Sequence, residues 1–186
     1  MDKKLVVIFP GIGYRSDKPL LYYSKKAAKK HDYEIIEVSY DLSAIDSSDK
    51  GNEEKMAEAL QSAYEQAAAQ LYQVKFNEYN RVVFIGKSIG TAVAARFNSS
   101  YMINAEQIVF TPIPATFTYI NNCEGLLFHG SADPYCDTSL IADAGDALSL
   151  TYAIIPEANH SLETGDVMID IENLGIIIRS VEKILA

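Results

Sequence analysis

Val82-Val83-Phe84-Ile85-Gly86-Lys87-Ser88-Ile89-Gly90 carries the strongest local signal in the chain. Four apolar residues followed by G-x-S-x-G read as a strand that turns sharply into a helix, with a serine at the apex. The flanking glycines have a physical reason. A serine in such an elbow has strained backbone angles, and its neighbours must lack a Cβ so that strand and helix can pass closely. The hydroxyl then projects from the sheet edge, with the first N–H groups of the helix beneath it to favour developing negative charge. The elbow is expected to throw Lys87 out of the strand's alternation and leave it as a solvated side chain at the rim.

Two later boxes keep company with this one. After the apolar run Leu126-Leu127-Phe128 comes His129-Gly130-Ser131-Ala132-Asp133-Pro134. After Tyr152-Ala153-Ile154-Ile155 comes Pro156-Glu157-Ala158-Asn159-His160-Ser161. Each lies just past a predicted strand, so each falls on the same edge of a parallel sheet. Ser88, Asp133 and His160 stand in the order nucleophile, acid, histidine. With the elbow, the His-Gly-x-x-Asp-Pro box and the Asn-His-Ser segment, the chain resembles the short, lidless bacterial members of the α/β-hydrolase family. The resemblance runs from the Pro10-Gly11 loop to the last helix.

Bulk properties agree. At 186 residues, the length favours one domain over 1–186, able to bury roughly 70% of its unfolded surface. The composition is 48% hydrophobic and 22% charged, so a core is available without disulfides. A net charge of −9 argues against nucleic acid and anionic membrane surfaces as partners. The leading apolar run, Leu5 to Phe9, stops at Pro10 and is too short for a signal sequence or a span. A cytoplasmic location is the expectation, with Cys123 and Cys136 as free thiols. Nothing in the sequence fixes an oligomeric state.

Apolar runs alternate with amphipathic stretches, the pattern of βα units around a parallel sheet. The predicted strands are Leu5–Phe9, Glu34–Tyr40, Val82–Ile85, Gln107–Thr111, Leu126–His129 and Thr151–Ile155. A helix is expected from Pro19 to Lys30, where Pro19 suits the first helical position. Another runs from Glu53 to about Lys75, with Met56, Leu60, Ala63, Tyr64, Ala67, Leu71 and Val74 on one face. A last one carries Val167, Ile171, Leu174, Ile178, Val181 and Leu185 on one face. Asp46 to Asn52 is polar and reads as a surface loop. The resemblance implies a three-layer, doubly wound α/β sandwich of six mostly parallel strands in the order 2-1-3-4-5-6. The winding then reverses between strands 1 and 3, beside both the elbow and the Gly11-Ile12-Gly13 loop.

Gly86-Lys87-Ser88 mimics the end of a phosphate-binding loop, but Arg81 stands where that motif needs glycine. Gly11-x-Gly13-x-x-Ser16, with Asp41 after the second strand, mimics a dinucleotide turn. The third glycine is missing, however, and Pro19 starts the helix too late to hold a pyrophosphate. A hydrolase fold can also serve as a non-catalytic receptor.

For the histidines, His31 ends a lysine-rich helix and reads as structural. His129 sits at a strand terminus and is expected to hydrogen-bond its own loop. For the acid, the family's box selects Asp133, while Asp137 reads as a cap for the next helix.

The resemblance implies that His160 takes the proton of Ser88 while Asp133 holds the imidazole's tautomer. The oxyanion donors would be the N–H groups of Ile89 and, by the family's loop pattern, Ile12, although Pro10 replaces a frequent histidine there. Neither a metal nor an organic cofactor is called for. Serine rather than aspartate at the elbow argues against alkyl-carboxylate chemistry. The predicted strand 4–5 connection, Pro112 to Glu124, leaves no room for a lid. A crevice edged by Gly11, Gly13, Tyr14, Arg15, Pro112, Ile113 and Tyr135 then suits a small acyl substrate. Esters, thioesters and amides share this apparatus, and the residues do not separate them.

Overall fold

A computed structural model describes residues 2–43, 45, 49, 52–120, 124–148 and 150–186. Most of the predicted Asp46–Asn52 loop, and Cys123, lie outside the described residues. The strands are β1 (Lys4–Phe9), β2 (Glu34–Glu37), β3 (Arg81–Lys87), β4 (Glu106–Phe110), β5 (Gly125–Gly130) and β6 (Thr151–Ile155). The helices are α1 (Pro19–Lys30), α2 (Glu53–Leu71), α3 (Ile89–Tyr101), the short α4 (Thr116–Tyr119), α5 (Thr138–Leu148) and α6 (Val167–Leu185). The six strands form one sheet in the order β2-β1-β3-β4-β5-β6. Every adjacent pair is parallel.

Side chains of period two explain the layering. Val6, Ile8, Val83, Ile85 and Ile108 pack with Leu21, Ala28, Ile177 and Val181, so α1 and α6 cover one face. Leu5, Val7, Phe9 and Phe84 pack with Ala63, Ala67, Ala92 and Val93, so α2 and α3 cover the other. Val109 and Leu127 extend this second layer to Ile141 of α5. Both sheet faces are buried, which is why β1 and β3 read as unbroken apolar runs.

Two elements are shorter than the sequence implies, and for the first the reason is traceable. Regular pairing of β2 ends at Glu37 rather than Tyr40. Beyond it, Gln70 of α2 accepts from the Ser39 N–H at 3.1 Å and donates to the Ser39 carbonyl at 2.7 Å. Gln66 does the same for Asp41, at 2.8 and 3.2 Å. Helix side chains thus replace a neighbouring strand as partners of this backbone. The α2 helix ends at Leu71, and a single 3₁₀ turn, Phe76–Glu78, leads into β3. Neither that turn nor α4 has a clear signal in the sequence.

Candidate active site

The elbow between β3 and α3 carries Ser88 at φ 56° and ψ −125°, a conformation that L residues seldom adopt. The glycines around it are sterically required. A Cβ on Gly86 would lie 2.7 Å from Thr91 Cα, and one on Gly90 would lie 2.2 Å from the Phe9 carbonyl oxygen. The strain is held from both ends. The Ser88 N–H donates to the Phe110 carbonyl at 3.0 Å. The Thr91 hydroxyl lies 2.6 Å from the Ser88 carbonyl and 2.6 Å from the buried Thr116 hydroxyl. Lys87 corrects the expectation of a solvated rim side chain. It remains in register with Phe110, so it keeps the alternation of Val83 and Ile85. Its side chain is buried, and its ammonium stands 5.0 Å from the centre of the Tyr14 ring.

The structure brings Ser88, His160 and Asp133 into one hydrogen-bonded chain. His160 Nε2 lies 2.8 Å from Ser88 Oγ, and its Nδ1 lies 2.8 Å from Asp133 Oδ2. The other carboxylate oxygen accepts the Tyr135 N–H at 2.9 Å. Burial pushes the Asp133 carboxyl up, but the bonds from His160 and Tyr135 outweigh it and hold the group below the usual carboxylate range. The loops after β5 and β6 are laced together. Ser131 N–H donates to Ile155, Ala132 N–H to Ala158, and Glu157 N–H to the Ser131 hydroxyl. A Cβ on Gly130 would lie 2.1 Å from the Ala158 carbonyl oxygen, so only glycine permits this approach. Asn159 then folds the loop on itself, its Oδ1 accepting the Ser161 N–H at 2.7 Å. Asp137 directly precedes α5, and Asp133 is the acid that reaches His160.

At the other end of the crevice, Gly11 and Tyr14 exchange backbone hydrogen bonds of 3.0 and 3.2 Å in a tight turn. Their N–H groups are thereby used. Among the described residues, the N–H groups of Ile12, at the tip of this turn, and of Ile89, at the start of α3, have no protein acceptor. The turn reaches α1 only at Pro19, which separates its glycines from the helix N–H groups that a bound pyrophosphate would need.

No family model and no curated protein matches the chain in sequence. Solved structures do match in shape. Est1E from Butyrivibrio proteoclasticus superposes with a TM-score of 0.70 at 10% identity, over 99% of this chain and 87% of that one. A putative hydrolase of the α/β superfamily from Xanthomonas campestris pv. campestris gives 0.66 at 15% identity, over 100% and 98%. A lidless α/β serine hydrolase from Xanthomonas campestris gives 0.62 at 14% identity, over 98% and 83%. The chain has the α/β-hydrolase fold. Est1E has also been solved with ferulic acid bound.

Within this hydrolase fold, Ser88 and His160 open into a cavity of about 510 Å³. Ile12, Ile113, Pro114, Tyr119 and Tyr135 supply much of its wall. Tyr135 stands edge-on to the His160 ring, with centroids 4.8 Å apart. The opposite wall is the first two turns of α2: Glu53, Met56, Ala57 and Leu60. Met56 and Leu60 belong to the apolar stripe of α2, and nothing in a periodic stripe distinguishes core from cavity wall. Gly11, Gly13 and Arg15 line a second cavity of about 680 Å³, which shares Ile12 with the first.

Two expected crevice residues lie elsewhere. Tyr14 turns toward α1, where its hydroxyl accepts the Leu20 N–H at 3.1 Å. Burial, opposed by that bond, pushes the phenol up to about 12. Pro112 is buried in the turn after β4, and its neighbours Ile113 and Pro114 reach the cavity instead. His129 also departs from expectation: it is fully buried, and neither ring nitrogen has a hydrogen-bond partner among the described residues. Among those residues, no group of three or more His, Cys, Asp or Glu side chains has the placement of a metal site. Likewise, no helix of the described residues is long and apolar enough to cross a membrane.

Proposed function

We propose that the protein is a serine hydrolase that cleaves a small ester, carboxylesterase-like, through Ser88, His160 and Asp133 and an acyl-enzyme. The observation that carries this reading is the continuous chain from Ser88 Oγ through His160 to the buried Asp133, each link 2.8 Å. His160 takes the Ser88 proton as the hydroxyl attacks the carbonyl carbon, then gives it to the departing alcohol. Water repeats the sequence on the acyl-enzyme. Asp133 stays ionised, keeps the Nδ1–H tautomer and stabilises the transient imidazolium. The Ile89 and Ile12 N–H groups receive the oxyanion, each donor of this kind being worth ~10²–10³ in turnover.

The apolar cavity beside Ser88 receives the acyl group. At about 510 Å³ it falls within the range of small-molecule sites. Met56, Leu60, Ile113 and Tyr119 favour a compact apolar or aryl group, and ferulic acid bound to the similarly folded Est1E supports that choice. The second cavity, across the Gly11–Ile12 turn, offers room for the alcohol. No cofactor or metal takes part in these steps.

Labelling with a fluorophosphonate probe tests the reading, followed by a panel of short, aryl and long-chain esters with matching thioesters and amides. Labelling of Ser88 with preferential turnover of short or aryl esters is expected. Failure of the probe to label folded protein overturns the enzyme and leaves a binding role. Faster thioester or amide turnover keeps the triad but replaces the esterase assignment.

A further inference from the structure

A second histidine stands at the triad's carboxylate. His129, the penultimate residue of β5, is completely buried, and both its ring nitrogens are without a hydrogen-bond partner among the described residues. Buried polar groups are nearly always paired, so an exception one residue from the loop that holds Asp133 calls for a reason. Its Nδ1 lies 3.7 Å from Asp133 Oδ2, the oxygen that also meets His160 Nδ1 at 2.8 Å. A shift of well under 1 Å turns that separation into a hydrogen bond.

The surroundings decide its charge state. Burial keeps the His129 imidazole neutral, pushing its pKa below the ordinary histidine value against the opposing pull of Asp133. Other titratable groups around Asp133 are His160, across the same oxygen, Tyr135, whose ring stands edge-on to His160, and Cys136. Burial, with Asp133 and Asp137 nearby, pushes the Cys136 thiol up to about 12, so it too is uncharged. On the adjoining strands, Ile154 pairs with His129 in register, and Thr111 follows β4 beside Phe128. Neither is charged. A neutral imidazole has one N–H, and a carboxylate beside Nδ1 draws the proton to that nitrogen.

We propose that His129 is a positioning residue for the triad: its neutral ring directs an Nδ1–H at Asp133 Oδ2, orienting the carboxylate and sharing its charge with His160. The proposal rests on the triad reading for its kinetic consequence, but not for its structural one. Asp133 then has three donors, and its full charge is not delivered to His160 alone. Removing His129 leaves the carboxylate freer to rotate and more attractive to the His160 imidazolium.

The chain has three histidines, so ring-nitrogen NMR of ¹⁵N-histidine-labelled protein resolves each one across pH without any substrate. The variants are His129→Phe, which removes both nitrogens, and the pair His129→Asn and His129→Gln. The Asn amide falls near the Nδ1 position and the Gln amide near Nε2, so the pair remains informative if the phenylalanine variant does not fold. In the parent protein, His129 is expected as the neutral Nδ1–H tautomer. His129→Phe and His129→Gln are expected to raise the His160 pKa by about half a unit or more. They should also lower kcat about tenfold with little change in KM, as loss of one hydrogen bond to a charged group implies. His129→Asn should restore both. An Nε2–H tautomer in the parent, or an unmoved His160 titration in folded His129→Phe or His129→Gln, overturns the proposal. If the parent protein is not labelled by fluorophosphonate, the hydrolase reading fails, while the tautomer and the His160 titration still decide this one.

Discussion

The two sides of the crevice are built on different terms. On the side of β3, β5 and β6, non-glycine residues carry positive φ angles: Ser88 at 56°, Glu157 at 56° and Leu162 at 61°. Each costs about 1–2 kcal/mol against the same residue in an ordinary conformation. Hydrogen bonds between the loops and close backbone approaches at Gly86, Gly90 and Gly130 hold them there. On the side of β1 and β2, the corresponding positive φ falls on Gly13, at 71°, which bears it at little cost. There the backbone of Ser39 and Asp41 is satisfied by two glutamines of α2, and a broad cavity opens. Among the described residues, strain is concentrated where the proposed chemistry needs fixed atoms, and little of it lies where a ligand need only find room.

Substitutions can break that contrast. The largest effect is expected at Ser88. Ser88→Ala should abolish fluorophosphonate labelling and reduce turnover by a factor on the order of 10⁶, as loss of a triad nucleophile does elsewhere. The melting temperature should stay within a few degrees, because alanine fits the elbow as serine does. Retained labelling of the alanine variant would place the nucleophile elsewhere and remove the reason for the strain.

Next comes the acid. Asp133→Asn should cost ~10⁴ in turnover by leaving the imidazole in the wrong tautomer. Asp137→Asn should stay within a few-fold. If Asp137→Asn is the variant that loses turnover, the acid of the triad lies one helical turn further along the chain. A third variant tests the lacing itself. Gly130→Ala places a Cβ 2.1 Å from the Ala158 carbonyl oxygen and 2.6 Å from that of Asn159. The loop must move, and His160 with it. A displacement of this size should lower turnover by ~10² even though no triad residue is changed. Unchanged turnover in Gly130→Ala would mean that the His160 loop has slack.

The same contrast explains what was legible in the sequence. Strands buried on both faces write themselves as apolar runs, and so β1, β3 and β5, with the sheet order, could be read from pattern and resemblance. The chemical side was legible because close approach demands glycine and each loop has a short signature, as in Gly86-Lys87-Ser88-Ile89-Gly90. Residues whose position depends on tertiary neighbours were not. Lys87, at the elbow, reads as thrown out of the strand's alternation, yet β3 simply continues through it. Tyr14 sits among the loop glycines but turns away because the Leu20 N–H offers its hydroxyl a partner. The α2 wall of the cavity is part of an ordinary amphipathic stripe. Thr91 and Thr116, which brace the elbow, carry no local signal at all, since they meet across 25 residues.

The smallest effect is expected on the open side, and it is the most demanding test of the contrast. Gly13 has φ 71°, but a Cβ built there meets nothing within 4 Å. Gly13→Ala therefore pays only for backbone conformation, ~1 kcal/mol, with no clash. For a chain of this size that corresponds to a fall in melting temperature of roughly 2–4 °C. The Gly11–Tyr14 backbone bonds survive, so the Ile12 N–H keeps its place, and Ser88 labelling should remain within about threefold of the parent rate. Gly13→Ala and Gly130→Ala are the same chemical change on opposite sides of one crevice, and side-by-side labelling rates and melting curves separate their effects. A loss of labelling in Gly13→Ala as deep as that in Gly130→Ala would show the glycine turn to be as tightly constrained as the loops after β5 and β6. The proposed oxyanion donor at Ile12 would then be rigidly held rather than the edge of a roomy cavity.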